Sequence, residues 1–122
     1  MSVNGSLFHV ALASDWHAAQ AAGEYRVSTL GRTLESEGFV HCSYADQVEH
    51  TANAFYADVA EPLVLLTIDP TRLDAEVIAE NAGGGIELFP HVYGPIPAGA
   101  VVAVTELSRD ATGRVVVPGL EG

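Results

Sequence analysis

The chain has 122 residues, 48% of them apolar, and sets sixteen carboxylates against five arginines and no lysine, for a formal net charge of −11. That size and composition suit one packed domain spanning 1–122, while no stretch approaches the roughly 18 unbroken apolar residues of a membrane span. So acidic a surface repels phosphate backbones, which disfavours a nucleic-acid partner and favours small or neutral ones.

The pattern along the chain predicts a core over about Leu7 to Leu107 and a looser C-terminal tail. "LFHVALA" is a short apolar run bounded by turn formers, hence a strand. "SDWHAAQAAG" reads as a helix with Ser14 as N-cap, Asp15 at the positive end of the dipole, Gly23 as the stop, and Trp16, Ala19 and Gln20 on one face. "EYRVSTLGRTLESE" keeps no period and is expected as a loop that brings Arg26, Ser28 and Arg32 to the surface.

"GFVHCS" reads as a strand with Phe39, His41 and Ser43 on one side and Val40 and Cys42 on the other. A helix follows over 44–58, with Ser43 and Asp46 in a capping-box spacing and Val48, Ala52, Phe55 and Val59 as its apolar stripe. "PLVLLTI" is unbroken enough to be a central strand buried on both faces. "EVIAE" and "VVAVTEL" are further strands, and "RVVVP" is an edge strand closed by Pro118. Between them, "NAGGGIELFPHVYGPIPAG" is expected as a shaped loop, its glycines permitting unusual backbone angles and its prolines fixing others. Together the elements predict an α+β domain with a curved mixed sheet and two main helices.

His41 and Ser43 sit where a strand opens into a helix N-terminus, a place that suits an anion or polarised oxygen, and they are the candidate catalytic pair. The bland alternative makes Ser43 a simple N-cap and His41 a buried histidine bonded to a carbonyl. His91 and Tyr93 in "FPHVYGP" share a face if extended and offer ligand contacts. Cys42 points away from His41 by alternation and reads as a buried structural thiol. The lone cysteine fits a reducing, cytoplasmic compartment, and the N-terminus has no basic segment before its apolar run. No short ligand repeat links the histidines, so no metal is expected, and His17 and His50 read as solvated helix positions. Neither GxxxxGK[ST] nor GxGxxG occurs.

The order "LFH…DW…GEY…STL…EGFVHCS…FPHVYGPIP" resembles the bacterial domain-of-unknown-function family nine-five-two over about Leu7 to Leu107. That family is similar in turn to the ADP-ribosyltransferase-like fold, a split β-sheet whose cleft accepts NAD, and especially to RNA 2′-phosphotransferases. The resemblance implies that His9 and Ser43 hydrogen-bond a nucleotide ribose or amide, that His41 orients the ligand and that Tyr93 supplies an aromatic wall; Arg26, Arg32 and His91 are further candidate contacts for NAD. It implies ADP-ribosyl transfer, or else a binding protein that keeps the cleft without the chemistry. Glu80, Glu87 and Glu106 each read as surface carboxylates rather than the catalytic acid.

Overall fold

The computed structural model describes residues 5–81 and 85–118. Strand β1 (Leu7–Leu12) runs straight into helix α1 (Ala13–Ala22). Leu12, not Ser14, takes the cap position, with no side-chain cap bond; the Ala13 N–H donates to the Pro62 carbonyl at 3.0 Å, and Ser14 is exposed. At the other end Gly23 does stop the helix, at φ 91°, a left-handed angle that glycine adopts freely. Trp16 and Ala19 face the core, and Gln20 is exposed.

The expected loop after Gly23 is ordered structure. Short strands β2 (Glu24–Tyr25), β3 (Val27–Thr29) and β4 (Arg32–Thr33) lead to the four-residue α2 (Leu34–Glu37), which Thr33 and Ser36 cap reciprocally at 3.1 Å. Pairing between β3 and β4 hides the local period, and it buries Ser28 instead of exposing it.

Strand β5 (Val40–His41) leads through a turn of 3₁₀ helix into α3 (Val48–Phe55), shorter than the expected 44–58. Ser43 does not cap it. The Gln47 side chain accepts from the Tyr44 N–H at 2.9 Å, while the Ser43 hydroxyl donates to Thr51 Oγ1 at 3.4 Å. After α3 come β6 (Leu63–Ile68), β7 (Val77–Glu80), β8 (Phe89–Val92), β9 (Ile96–Pro97), β10 (Val101–Glu106), β11 (Ser108–Arg109) and β12 (Val115–Val116). The expected shaped loop is thus partly the strand β8; its first two glycines lie outside the described residues.

β6 is the central strand predicted, flanked by β1 and β10. Leu63 and Leu65 pack with Phe8, Val10, Val48, Ala52 and Tyr56 on one face, while Val64, Leu66 and Ile68 join Trp16, Tyr25 and Val92 on the other. A second sheet has the order β5-β8-β7. Among the described residues every strand pairing is antiparallel, so the expected mixed sheet is corrected. The result is a single α+β domain.

The two sheets meet through one bridge. Pro90 accepts from the Cys42 N–H at 3.1 Å but has no N–H to return, so β5 leaves β8 after His41 and Ser43 pairs with Phe8 instead. Past that bridge, where Val10 would have met His41, the His9 side chain bonds the His41 carbonyl at 2.7 Å. Residues 108–116 of the segment expected as a loose tail are docked: Val115 is fully buried and doubly bonded to Asn53, and Arg109 donates to the Tyr56, Ala57 and Val59 carbonyls that follow α3.

Candidate functional site

One face of the second sheet carries the chemistry. Phe39 just before β5 and His41 within it share this face with Phe89 and His91 of β8, Tyr93 just beyond it, and Glu80, which ends β7; the opposite face sends Val40, Cys42 and Val92 into the core. Register then sets the neighbours, with His41 directly opposite His91 and Glu80 opposite Phe89. The Phe39 ring stacks on His91 at 4.0 Å between centroids, and His41 meets the edges of His91, Phe89 and Phe55 at 5.0, 5.3 and 6.2 Å.

Two clefts converge on this face. One of about 470 Å³ is lined by His41, Thr51, Phe55, Phe89 and His91, with His50, Asn81 and Glu87 around them. The other, about 420 Å³, is lined by Thr29, Leu30, Arg32, Glu37, Phe39, His41 and Phe55. His41 and Phe55 belong to both, so together they form the wall between the two lobes. A shallow depression of about 540 Å³ beside Trp16 and β10 is larger, but its walls carry no titratable side chain.

Charge within the clefts follows the whole molecule. Glu37, Glu80 and Glu87 stand at or beside them, and the one arginine present, Arg32, lies 3.5 Å from Glu37. Burial, reinforced by the neighbouring His91, holds the His41 imidazole below its usual pKa, so it is neutral at pH 7 and can both donate and accept. Glu80 accepts from His91 Nδ1 at 2.8 Å and from the Tyr93 hydroxyl; these bonds, Tyr93's first, keep its carboxyl below the usual carboxylate range.

Of the residues singled out from sequence, His41, His91 and Arg32 reach the clefts, and Tyr93 stands beside them through Phe39 and Glu80. His9 does not: it is buried, with Nδ1 donating to the His41 carbonyl and Nε2 accepting from the Tyr25 hydroxyl at 2.9 Å, so neither nitrogen is left for a ligand. Ser43 is buried too, facing a gap of about 10 Å³ between His9, Thr51 and Tyr56, too small for a ligand group. Arg26 lies off the clefts and is held by Glu24 and Glu35. The Cys42 thiol is buried and its pKa is pushed up to about 12 by desolvation, which makes it unreactive.

The aromatic wall of Phe39, Phe55 and Phe89 was not among the predicted contacts, nor was Glu80. Its signal was present in the repeated spacing of Phe39 with His41 and of Phe89 with His91 and Tyr93, a period-two pattern that puts each set on one face. Among the described residues no group of three or more His, Cys, Asp or Glu side chains is placed to hold a metal ion, and no helix is long and apolar enough to cross a membrane.

No functionally curated protein matches the chain. Three solved structures do, all of the protein CC0527 from Caulobacter crescentus, a structural-genomics target. Its crystal structure is similar at 29% identity and a TM-score of 0.78, covering 91% of this chain and 93% of that one. A double-mutant crystal form covers the same shares at 28% identity and a TM-score of 0.73, and the solution structure covers 89% and 90% at 29% and 0.72. Residues 10–104, from β1 into β10, match the family described as protein of unknown function (DUF952), and the chain belongs to that family.

Proposed function

We propose that this is a cytoplasmic protein that binds a small ligand of nucleotide type, NAD among the candidates, in the double cleft divided by His41 and Phe55. The observation that carries this reading is the convergence of two lobes of about 470 and 420 Å³ on those two side chains. Volumes of that order suit a small molecule rather than a polymer. Aromatic faces at Phe39, Phe55 and Phe89 offer stacking for a planar heterocycle, and the neutral His41 offers a hydrogen bond in either direction. The resemblance to the ADP-ribosyltransferase-like fold points to the same ligand class.

Transfer chemistry by the pattern of that resemblance lacks its ribose contacts. The two residues assigned to ribose, His9 and Ser43, are spent on the protein's own bonds, which favours the alternative of a binding protein without ADP-ribosyl transfer. With Arg32 already beside Glu37, a pyrophosphate gains little charge stabilisation, so affinity in the micromolar to millimolar range, about 4–8 kcal/mol, is expected.

Calorimetric titration with NAD, ADP-ribose, AMP and nicotinamide tests the proposal. Binding of at least one is expected, weakened by about 1–3 kcal/mol in His41→Ala while the melting temperature holds. No heat and no thermal protection from any of the four at millimolar concentration would exclude a nucleotide cleft.

A further inference from the structure

Among the described residues, the buried side-chain nitrogens and oxygens without a hydrogen-bond partner are Ser28 Oγ, His41 Nδ1 and His91 Nε2. Leaving such a group unpaired lowers stability, and His9, equally buried, pairs both of its ring nitrogens. All three unpaired atoms belong to residues of the double cleft: His91 lines the first lobe, Ser28 the second and His41 both. Ser28 is 1% exposed and His91 not at all, so each is an unpaired polar group held in a cleft wall. Their chemistry differs. Glu80 accepts from His91 Nδ1 at 2.8 Å, and a carboxylate can only accept, so a neutral His91 keeps its proton there and leaves Nε2 as an acceptor. The Ser28 hydroxyl both donates and accepts. Charge selects as well: the chain has no lysine, and Arg32, the arginine on the second lobe, lies 3.5 Å from Glu37, while Glu37 and Glu87 line the lobes themselves. The walls thus offer an acceptor to an N–H, a hydroxyl to a hydroxyl and aromatic faces to a planar ring, and they offer little to a phosphate.

We propose that the double cleft selects an uncharged nucleoside with an amino group on its base: the amino group donates to His91 Nε2 in the lobe that Phe55 and Phe89 line, and a sugar hydroxyl bonds Ser28 Oγ in the other. This rests on the cleft being the ligand site proposed above and narrows its ligand class. Base and sugar supply the recognition, and a phosphate, where one is attached, stays in solvent. His41 and Phe55, which border both lobes, lie where base and sugar join. A base without the amino group leaves Nε2 unpaired in the complex, and that is the source of the selectivity.

Calorimetry on the intact protein compares adenosine with purine riboside, which lacks only the amino group, and with AMP, which adds a phosphate. Adenosine should bind about tenfold or more tighter than purine riboside and at least as tightly as AMP. Equal affinity for the two nucleosides, tighter binding of AMP, or binding of NAD but not of adenosine would overturn this selectivity and leave the ligand site standing. Failure of all four compounds to bind would overturn the site itself. Ser28→Ala separates a ligand contact from a structural one. Removing an unpaired hydroxyl should leave the melting temperature unchanged or raise it, yet weaken adenosine about fivefold or more and spare free adenine. A lower melting temperature with adenosine affinity unchanged would overturn the sugar contact. Nitrogen-15 NMR of the imidazole rings needs no variant: the neutral His91 should carry its proton on Nδ1 in the free protein, and Nε2 should shift further with adenosine than with purine riboside at equal occupancy. A proton on Nε2 of the neutral ring, or equal shifts with both nucleosides, would overturn the contact to the base whatever the cleft binds.

Discussion

His9 shows how one side chain can settle two problems of the fold at once. The imidazole fills the opening where β5 leaves β1 and satisfies the His41 carbonyl that strand pairing would otherwise have served, while Tyr25, whose phenol is held above its usual pKa by burial, keeps the proton it donates to Nε2. Burial lowers the His9 pKa from 6.5 to about 4, against the smaller opposing effect of its bond to the His41 carbonyl. Between those values the unfolded chain binds a proton that the folded one does not, so stability is complete above about pH 6.5 and is lost as pH falls toward 4. The difference corresponds to about 3 kcal/mol. Urea unfolding at neutral pH and near pH 4 should show the wild type losing about that much more than His9→Gln, in which the carboxylates with lowered pKa values still contribute equally. Equal losses in the two proteins would exclude His9 as the acid-sensitive group.

At the scale of the element, α3 separates what a helical pattern specifies from what it leaves open. Val48 and Ala52 are fully buried as the stripe predicts, but the next core contact is Tyr56, 4% exposed, while Phe55 is 49% exposed and stands between the two clefts. Steps of three and four both satisfy a 3.6-residue period, so the spacing alone cannot choose between adjacent aromatics. The helix ends at Phe55, and the Tyr56 N–H still bonds the Ala52 carbonyl, which directs the second ring inward. Tyr56→Ala should therefore cost about 3–5 kcal/mol in thermal or denaturant unfolding. Phe55→Ala should cost less than about 1 kcal/mol and instead weaken whatever ligand calorimetry detects. A large loss of stability from Phe55→Ala would restore the original packing assignment.

Across the whole molecule, long-range contacts decide where the domain ends and where its site lies. The hairpin of β11 and β12 looks dispensable in sequence, yet it buries Val115 against α3 and places Arg109 on the carbonyls that close that helix. Deleting residues 108–122 should destabilise the protein by about 3 kcal/mol or more, seen as a lower denaturant midpoint; an unchanged midpoint would mean that the core closes without the hairpin. Much of the rest was legible from local patterns. The apolar run at Leu63–Ile68 marked the central strand, Gly23 marked a helix end, and alternation in "GFVHCS" placed Cys42 in the core and His41 on the open face, because a strand's two-residue period and a glycine's left-handed angle are properties of a few adjacent residues. Other features depended on partners distant in the chain. Pro62 supplied the acceptor for the first helical N–H of α1, Pro90 ended the β5–β8 pairing, and the register of β5, β8 and β7 set His41 against His91 and brought Glu80 within hydrogen-bond reach of His91. Composition and periodicity thus determined the class of fold and the faces of its strands, while the tertiary structure alone decided which side chains meet, since register and burial are set by contacts between segments that no local pattern contains.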